Sequence, residues 1–73
     1  PTFSQAFRFF REKYNLEGIA QRGTDFGWYR WYIHEYKENY KKYVADYYEY
    51  DTYEEAELAC LKYLIEITKT NLK

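Results

Sequence analysis

Residues 28–50 read WYRWYIHEYKENYKKYVADYYEY, and ten of these twenty-three residues are Tyr or Trp. Two segments, 27–36 and 41–50, are rich in Tyr, Trp, Ile and Val, the residue types that favour β-strands. The polar stretch KENYK between them suits a hairpin loop. The sequence therefore predicts two neighbouring antiparallel strands that carry half of the aromatic side chains.

The first fifteen residues predict a helix. Thr2 and Gln5 match the T-x-x-Q capping box, in which each side chain binds a free backbone N–H at the start of a helix. We expect this helix over residues 3–15, ended by a left-handed residue at Asn15 or Gly18. Aromatic residues recur along it at helical spacing and form one stripe: Phe3, Phe7, Phe10 and Tyr14.

The C-terminal part predicts a second helix, over residues 52–70. Thr52 and Glu55 match a second capping box, and further carboxylates nearby suit the positive end of a helix. Lys69 and Lys73 lie near its negative end. One side of this helix is apolar, and we expect it to pack against more than one neighbour. The apolar residues recur at helical spacing: Tyr53, Ala56, Cys60, Tyr63, Leu64 and Ile67.

A short first strand is predicted at residues 18–23, and the stretch TDFG at 24–27 has the composition of the turn that follows it. The order of elements is therefore α-β-β-β-α, within one domain of residues 1–73. We expect a three-stranded antiparallel meander with both helices packed on one face, which is a two-layer α+β fold.

Chain length and composition limit how this fold can be stabilised. A chain of 73 residues buries only roughly 60% of its surface on folding, so the core is small. Eighteen aromatic residues supply large side chains to fill it. Cys60 and His34 are the only cysteine and histidine, which excludes an intramolecular disulfide and argues against a Cys/His zinc site. We therefore predict no metal and no cofactor.

Charge and hydropathy predict a cytoplasmic protein without a membrane partner. The net charge is −1 and the isoelectric point is about 5.8, which gives no general attraction to nucleic acid or acidic membranes. No apolar run is long enough to span a bilayer, and the first residues lack the pattern of a signal peptide.

Side chains alternate between the two faces of a strand, so the aromatic strands can be sorted by residue number. Charged residues are rarely buried without partners, and Arg30 and Asp46 both carry even numbers. The odd-numbered side chains are therefore predicted to face the helices: Tyr29, Trp31, Ile33, Tyr43, Ala45 and Tyr47. The even-numbered side chains are predicted to form the opposite face: Trp28, Arg30, Tyr32, His34, Val44, Asp46 and Tyr48.

Four residues of that opposite face form the predicted partner-binding site: Trp28, Arg30, Tyr32 and Tyr48. Trp, Tyr and Arg are the residue types enriched in binding hot spots. We expect them to bind a protein partner or a second copy of the chain, with Arg30 in a polar or cation–π contact. The alternative is that these rings only stabilise the sheet through cross-strand pairs, at about 0.2–1 kcal/mol each.

Two stretches, FSQAFRFFREKYNL at residues 3–16 and YDTYEEAELACLKYLIEI at residues 50–67, resemble a family of small proteins. Members are encoded by Bacteroides-type gut bacteria and their phages or mobile elements, and similar ends flank a variable aromatic middle. The resemblance covers about 32 of the 73 residues. The family has no established activity, so the resemblance implies a phage or mobile-element origin but no functional residues.

Nucleic acid is the alternative partner. The α-β-β-β-α order is also that of the double-stranded RNA-binding domain, in which basic residues at the start of the second helix contact phosphates. The corresponding stretch here is TYEEAEL, whose three carboxylates would repel phosphates. Single-stranded nucleic acid fits better, because its bases could stack on Trp28, Tyr32 and Tyr48. The predicted strand positions place three cations beside these rings: Arg30, Lys41 and Lys42.

No residue pattern predicts a catalytic site. His34 could act as a general base, but no nucleophile lies near it in the sequence. Cys60 lies on the apolar side of the predicted second helix, where a thiol is usually inert. Gly-rich phosphate loops and paired metal-ligand motifs are absent from the sequence. We therefore predict a non-enzymatic protein with no catalytic residues.

Overall fold

The structure is a computed structural model that describes residues 3–23 and 27–70. These residues form helix α1 (Phe3–Tyr14), strands β1 (Leu16–Arg22), β2 (Tyr29–Tyr36) and β3 (Lys41–Tyr50), and helix α2 (Tyr53–Thr70). The strands form an antiparallel sheet in the order β1-β2-β3. The predicted α+β fold with α-β-β-β-α order is therefore confirmed.

The ends of α1 and α2 show two of the predicted local signals. Asn15 has a φ of 58°, so it is the left-handed residue that ends α1. The chain enters β1 directly after Asn15, and the strand therefore begins at Leu16 rather than at the predicted residue 18. At α2, the Glu55 N–H donates to Thr52 Oγ1 at 3.1 Å and the Thr52 N–H donates to Glu55 Oε1 at 3.2 Å. This is the predicted capping box.

Three other predicted local features lie outside the described residues. They are the capping box that involves Thr2, most of the turn at residues 24–27, and the position of Lys73 near the end of α2. Of the turn itself, the structure describes only Gly27, whose φ is 70°. Gly23 and Trp28 enclose the turn, and the Gly23 N–H donates to the Trp28 carbonyl.

Both helices pack on one face of the sheet, and they meet it closely at Gly18. A Cβ atom on Gly18 would lie 2.8 Å from Sγ of Cys60 and 3.1 Å from Cε1 of Phe7. Because Phe7 belongs to α1 and Cys60 to α2, this one glycine lets both helices approach β1. Among the described residues, the core that results has seven buried hydrophobic members: Phe10, Leu16, Trp31, Ile33, Ala56, Cys60 and Leu64.

A bulge in β3 changes which of its residues face the helices. Ile33 pairs with Ala45, but the next residue of β2, His34, pairs with Tyr43, so Val44 is an extra residue in β3. Val44 therefore packs against the core, whereas the ring of Tyr43 lies near His34 on the opposite face. The predictions that Tyr43 faces inward and Val44 outward are wrong, because the alternation of faces shifts by one residue at the bulge.

A second irregularity turns Tyr50 toward the core. Trp31 pairs with Tyr47 and Tyr29 pairs with Tyr50, so β3 has one more residue than β2 between these pairs, and Glu49 has a φ of 87°. Trp31 Nε1–H donates a hydrogen bond to the Tyr50 hydroxyl at 3.0 Å. Tyr47 lies opposite Trp31 but is 52% exposed, because α2 packs mainly over β1 and β2. Its predicted place in the core is therefore wrong.

Candidate protein-interaction surface

The face of the sheet opposite the helices, called here the outer face, carries five Trp and Tyr side chains of the described residues: Trp28, Tyr32, Tyr36, Tyr43 and Tyr48. On β2 the alternation follows from Trp31 and Ile33, which are buried against the helices and turn their neighbours outward. The strand register extends this assignment to β1 and β3. The outer face comprises twelve residues: Glu17, Ile19, Gln21, Trp28, Arg30, Tyr32, His34, Tyr36, Lys41, Tyr43, Asp46 and Tyr48.

Trp28 and Tyr48 form a stacked aromatic pair on this face. Their ring centroids are 6.3 Å apart and their planes differ by 25°. Trp28 is 39% exposed and Tyr48 is 53% exposed. The pair therefore combines a stacking contact with a large area of ring that is open to solvent. Tyr and Trp side chains have only two χ angles, so such rings lose little conformational freedom when a partner covers them.

Arg30 is held in place by two contacts on the outer face. Its guanidinium nitrogen Nη2 lies 3.5 Å from Oδ2 of Asp46, and its Cζ atom lies 5.1 Å from the centroid of the Tyr32 ring. About a third of the Arg30 side chain remains exposed. Both charges that were used to sort the strands thus lie on the outer face, as predicted, and they partly neutralise each other.

His34 and Tyr43 extend this cluster of contacts. The Tyr43 hydroxyl donates to Asp46 Oδ1 at 3.0 Å, and the imidazole of His34 lies 6.4 Å from the Tyr43 ring and 5.2 Å from the Tyr32 ring. Together with the contacts of Arg30 to Asp46 and Tyr32, these contacts form a closed ring of side chains around a shallow depression in the sheet surface. Because ionisation of Tyr43 would remove this hydrogen bond to Asp46, the pKa of Tyr43 is raised above its ordinary 10.0.

Tyr36 occupies the end of β2 and makes a similar contact. Its hydroxyl donates to Glu17 Oε1, and this hydrogen bond raises the pKa of Tyr36. Tyr36 and Tyr43 belong to the outer face but not to the four predicted site residues. For Tyr43 the sequence contained one usable signal, since Val44 is the only β-branched aliphatic residue of β3 and suits a core position better than tyrosine does.

The residues considered for chemistry lie on different faces of the sheet. His34 belongs to the outer face, whereas Cys60 is fully buried between α2 and β1. Burial raises the pKa of the Cys60 thiol to about 12, so it stays protonated and weakly nucleophilic at neutral pH. Within residues 3–23 and 27–70, no three His, Cys, Asp or Glu side chains are grouped closely enough to hold a metal ion.

Comparisons with known proteins add no assignment to this geometry. No protein-family model matches the chain, and neither the curated proteins nor the solved structures contain a significant match. Of the two helices in the described part of the chain, neither has the length and apolar character needed to cross a membrane. The outer face is therefore interpreted from its own residues.

Proposed function

We propose that this protein is a non-enzymatic protein-interaction module, which binds a protein partner or a second copy of itself through the outer face. The observation that carries the proposal is the stacked and exposed pair of Trp28 and Tyr48, with Arg30 and Tyr32 beside it. Trp, Tyr and Arg are enriched among the few residues that supply most of the binding energy in protein interfaces. The four residues act together as the anchor for the partner.

The electrostatics of the outer face favour a protein as the partner. The charge of Arg30 is offset by Asp46, and Glu17 and Lys41 add one charge of each sign. A face without net charge can be covered by a protein surface without leaving a buried excess of one charge. The contacts among the side chains also reduce the ordering that binding requires.

Single-stranded nucleic acid is the second candidate partner. The exposed rings of Trp28 and Tyr48 could stack on bases, and base stacking does not depend on sequence. Nucleic-acid affinity also requires cations that neutralise phosphates. On the outer face Arg30 is already paired with Asp46, and Lys42 lies opposite Glu35 in the strand register, on the other face of the sheet. Lys41 is therefore the main cation left for phosphates, which makes this candidate the weaker one.

Two observations support a proposal for the compartment in which this protein acts and for its origin. A lone buried thiol suits the reducing cytoplasm, where we propose that the protein acts. The resemblance of its two helical stretches to proteins of phages and mobile elements supports an origin in such an element.

The proposal is tested by removing the stacked pair. In the variant Trp28→Ser/Tyr48→Ser, capture of partner proteins from a cell extract and association between purified chains are both measured. The matched control is Tyr40→Ser, which removes an exposed tyrosine from the hairpin loop. We expect the double variant to lose binding and the control to retain it, with unchanged circular dichroism in both.

Two results would overturn the proposal. One is equal binding by the double variant and the wild type, which would place the interface elsewhere. The other is tight binding of labelled single-stranded RNA or DNA that weakens steeply with salt, because it would favour the nucleic-acid candidate.

A further inference from the structure

The outer face has a charge pattern that fits its own copy. It carries two acidic residues, Glu17 and Asp46, and two basic residues, Arg30 and Lys41. In a two-fold symmetric interface the same patch occurs on both sides, so a patch with net charge repels itself. A patch that is neutral and has both signs side by side attracts its copy when opposite charges are placed across from each other.

The exposed rings of the outer face supply roughly half of the area that a standard dimer interface needs. Four of its rings are between 39% and 58% exposed: Trp28, Tyr36, Tyr43 and Tyr48. Since one ring can bury about 150–250 Å², these four rings alone leave roughly 300–500 Å² to be covered. A standard interface buries about 800 Å² on each partner. Exposed polar side chains between the rings, Gln21, Lys41 and Asp46 among them, add to this area.

The small core gives the chain a reason to self-associate. Among the residues that the structure describes, seven hydrophobic side chains are buried, while eleven large hydrophobic ones are exposed. Domains of this size commonly add oligomerisation to a core that is only marginally sufficient. A second copy is a partner that is present wherever the chain itself is made.

We infer, on the basis of the proposed function, that the partner of the outer face is a second copy of this chain, docked sheet to sheet about a two-fold axis. The axis passes between Arg30 and Asp46, in the plane between the two sheets. Each Arg30 then lies opposite the partner's Asp46, and the ion pair within one chain becomes a network of two pairs across the interface. The aromatic side chains of both copies fill the layer of about 10 Å between packed sheets.

Charge reversal gives a direct test. The mass of the full-length chain is measured by sedimentation velocity from micromolar to millimolar concentration, and we expect it to double from 9.1 kDa. Arg30→Glu leaves two acids at the centre of the face, and Asp46→Arg leaves two bases. Each variant alone is expected to dissociate at least about tenfold more readily, because like charges then face each other.

An equimolar mixture of the two variants distinguishes this arrangement from a general loss of stability. In the mixed dimer every acid at these positions faces a base, so we expect the doubled mass to return. The matched control reverses another exposed ion pair, Arg8 with Glu12 on α1, where Arg8→Glu and Glu12→Arg should leave dimerisation unchanged. If circular dichroism shows that a reversal unfolds the chain, Arg30→Gln and Asp46→Asn replace it, and each should still weaken the dimer.

Three outcomes overturn the inference. They are a wild-type chain that stays at 9.1 kDa throughout, a dimer that the substitutions at the outer face do not weaken, and folded variants whose mixture fails to recover. If the chain is always monomeric but still captures a protein through Trp28 and Tyr48, only the inference that the partner is a second copy fails. Loss of both self-association and capture removes the proposed function as well.

Discussion

The two tryptophans of this chain are three residues apart and have opposite environments. Trp31, on the helix side of the sheet, is 5% exposed, donates its N–H to Tyr50 and packs against the ring of Tyr63. Trp28 lies on the outer face and stacks on Tyr48 with much of its ring open. The same residue type therefore serves the core on one face and a surface on the other. The helices make the difference, because they cover only the inner face.

The largest difference between the faces should be seen when each tryptophan is truncated. Trp31→Ala removes a buried ring and leaves a cavity, so we expect a loss of about 3–5 kcal/mol in the free energy of unfolding. Trp28→Ala removes the stacking contact with Tyr48 at the surface and should cost less than about 1 kcal/mol. Urea unfolding measures both values, at a chain concentration low enough that association does not add to the stability. Equal losses would contradict the distinction between the faces.

Gly18 marks where the inner face is packed most closely. Gly18→Ala places a Cβ atom 2.8 Å from Sγ of Cys60 and 3.1 Å from atoms of Phe7 and Leu64, and its φ is not in the left-handed region. Because the side chains of Cys60, Phe7 and Leu64 must shift within a packed core to admit the methyl group, we expect a loss of about 1–3 kcal/mol in the free energy of unfolding. Thermal or urea unfolding of the purified variant measures the loss.

A second substitution separates this steric effect from a loss of backbone flexibility. Cys60→Ala removes the atom nearest to the new methyl group, so the double variant Gly18→Ala/Cys60→Ala should lose less stability than the sum of the single variants. Strict additivity would show that the cost at Gly18 does not come from contact with Cys60.

The sequence predicts the inner and outer faces well up to the point where β3 becomes irregular. Arg30 and Asp46 identify the outer face, because a charge is costly to bury and strand positions alternate. That argument assumes an unbroken period of two. The extra residue at Val44 breaks the period, so the alternation predicts the wrong face for Tyr43. Local composition does not specify a bulge, which depends on how two strands fit together.

The exposure of Tyr47 could not be predicted for a different reason. Its position opposite Trp31 agrees with the alternation, but its burial depends on how far the helices extend across the sheet. Both helices approach β1 at Gly18, and α2 makes few contacts with β3. The sequence shows that α1 and α2 are amphipathic, but it does not show where on the sheet they lie.

The hydrogen bond between Trp31 and Tyr50 should contribute less than the packing of the ring. Tyr50→Phe keeps the ring and removes the acceptor, which leaves the buried indole N–H of Trp31 without this partner. We expect a loss of about 1–2 kcal/mol in the free energy of unfolding. Tyr48→Phe on the outer face is the control and should change stability by less than about 0.5 kcal/mol. A loss at Tyr50 no greater than at Tyr48 would mean that the bond contributes no net stability.

The smallest expected effect concerns the ionisation of Tyr43 on the outer face. Its pKa is raised above 10.0 chiefly by the hydrogen bond to Asp46, so Asp46→Asn should lower that pKa toward the ordinary value. Because the folded-state pKa is the higher one, the stabilisation from this bond is present below about pH 10 and declines as the pH rises through the pKa of the folded state. An NMR titration of the Tyr43 ring carbons measures the shift.

Glu17→Gln is the matched control, since it removes the acceptor of Tyr36 instead. It should lower the pKa of Tyr36 and leave that of Tyr43 unchanged. A pKa of Tyr43 that does not respond to Asp46→Asn would show that the ring of side chains that includes Arg30 is open in solution.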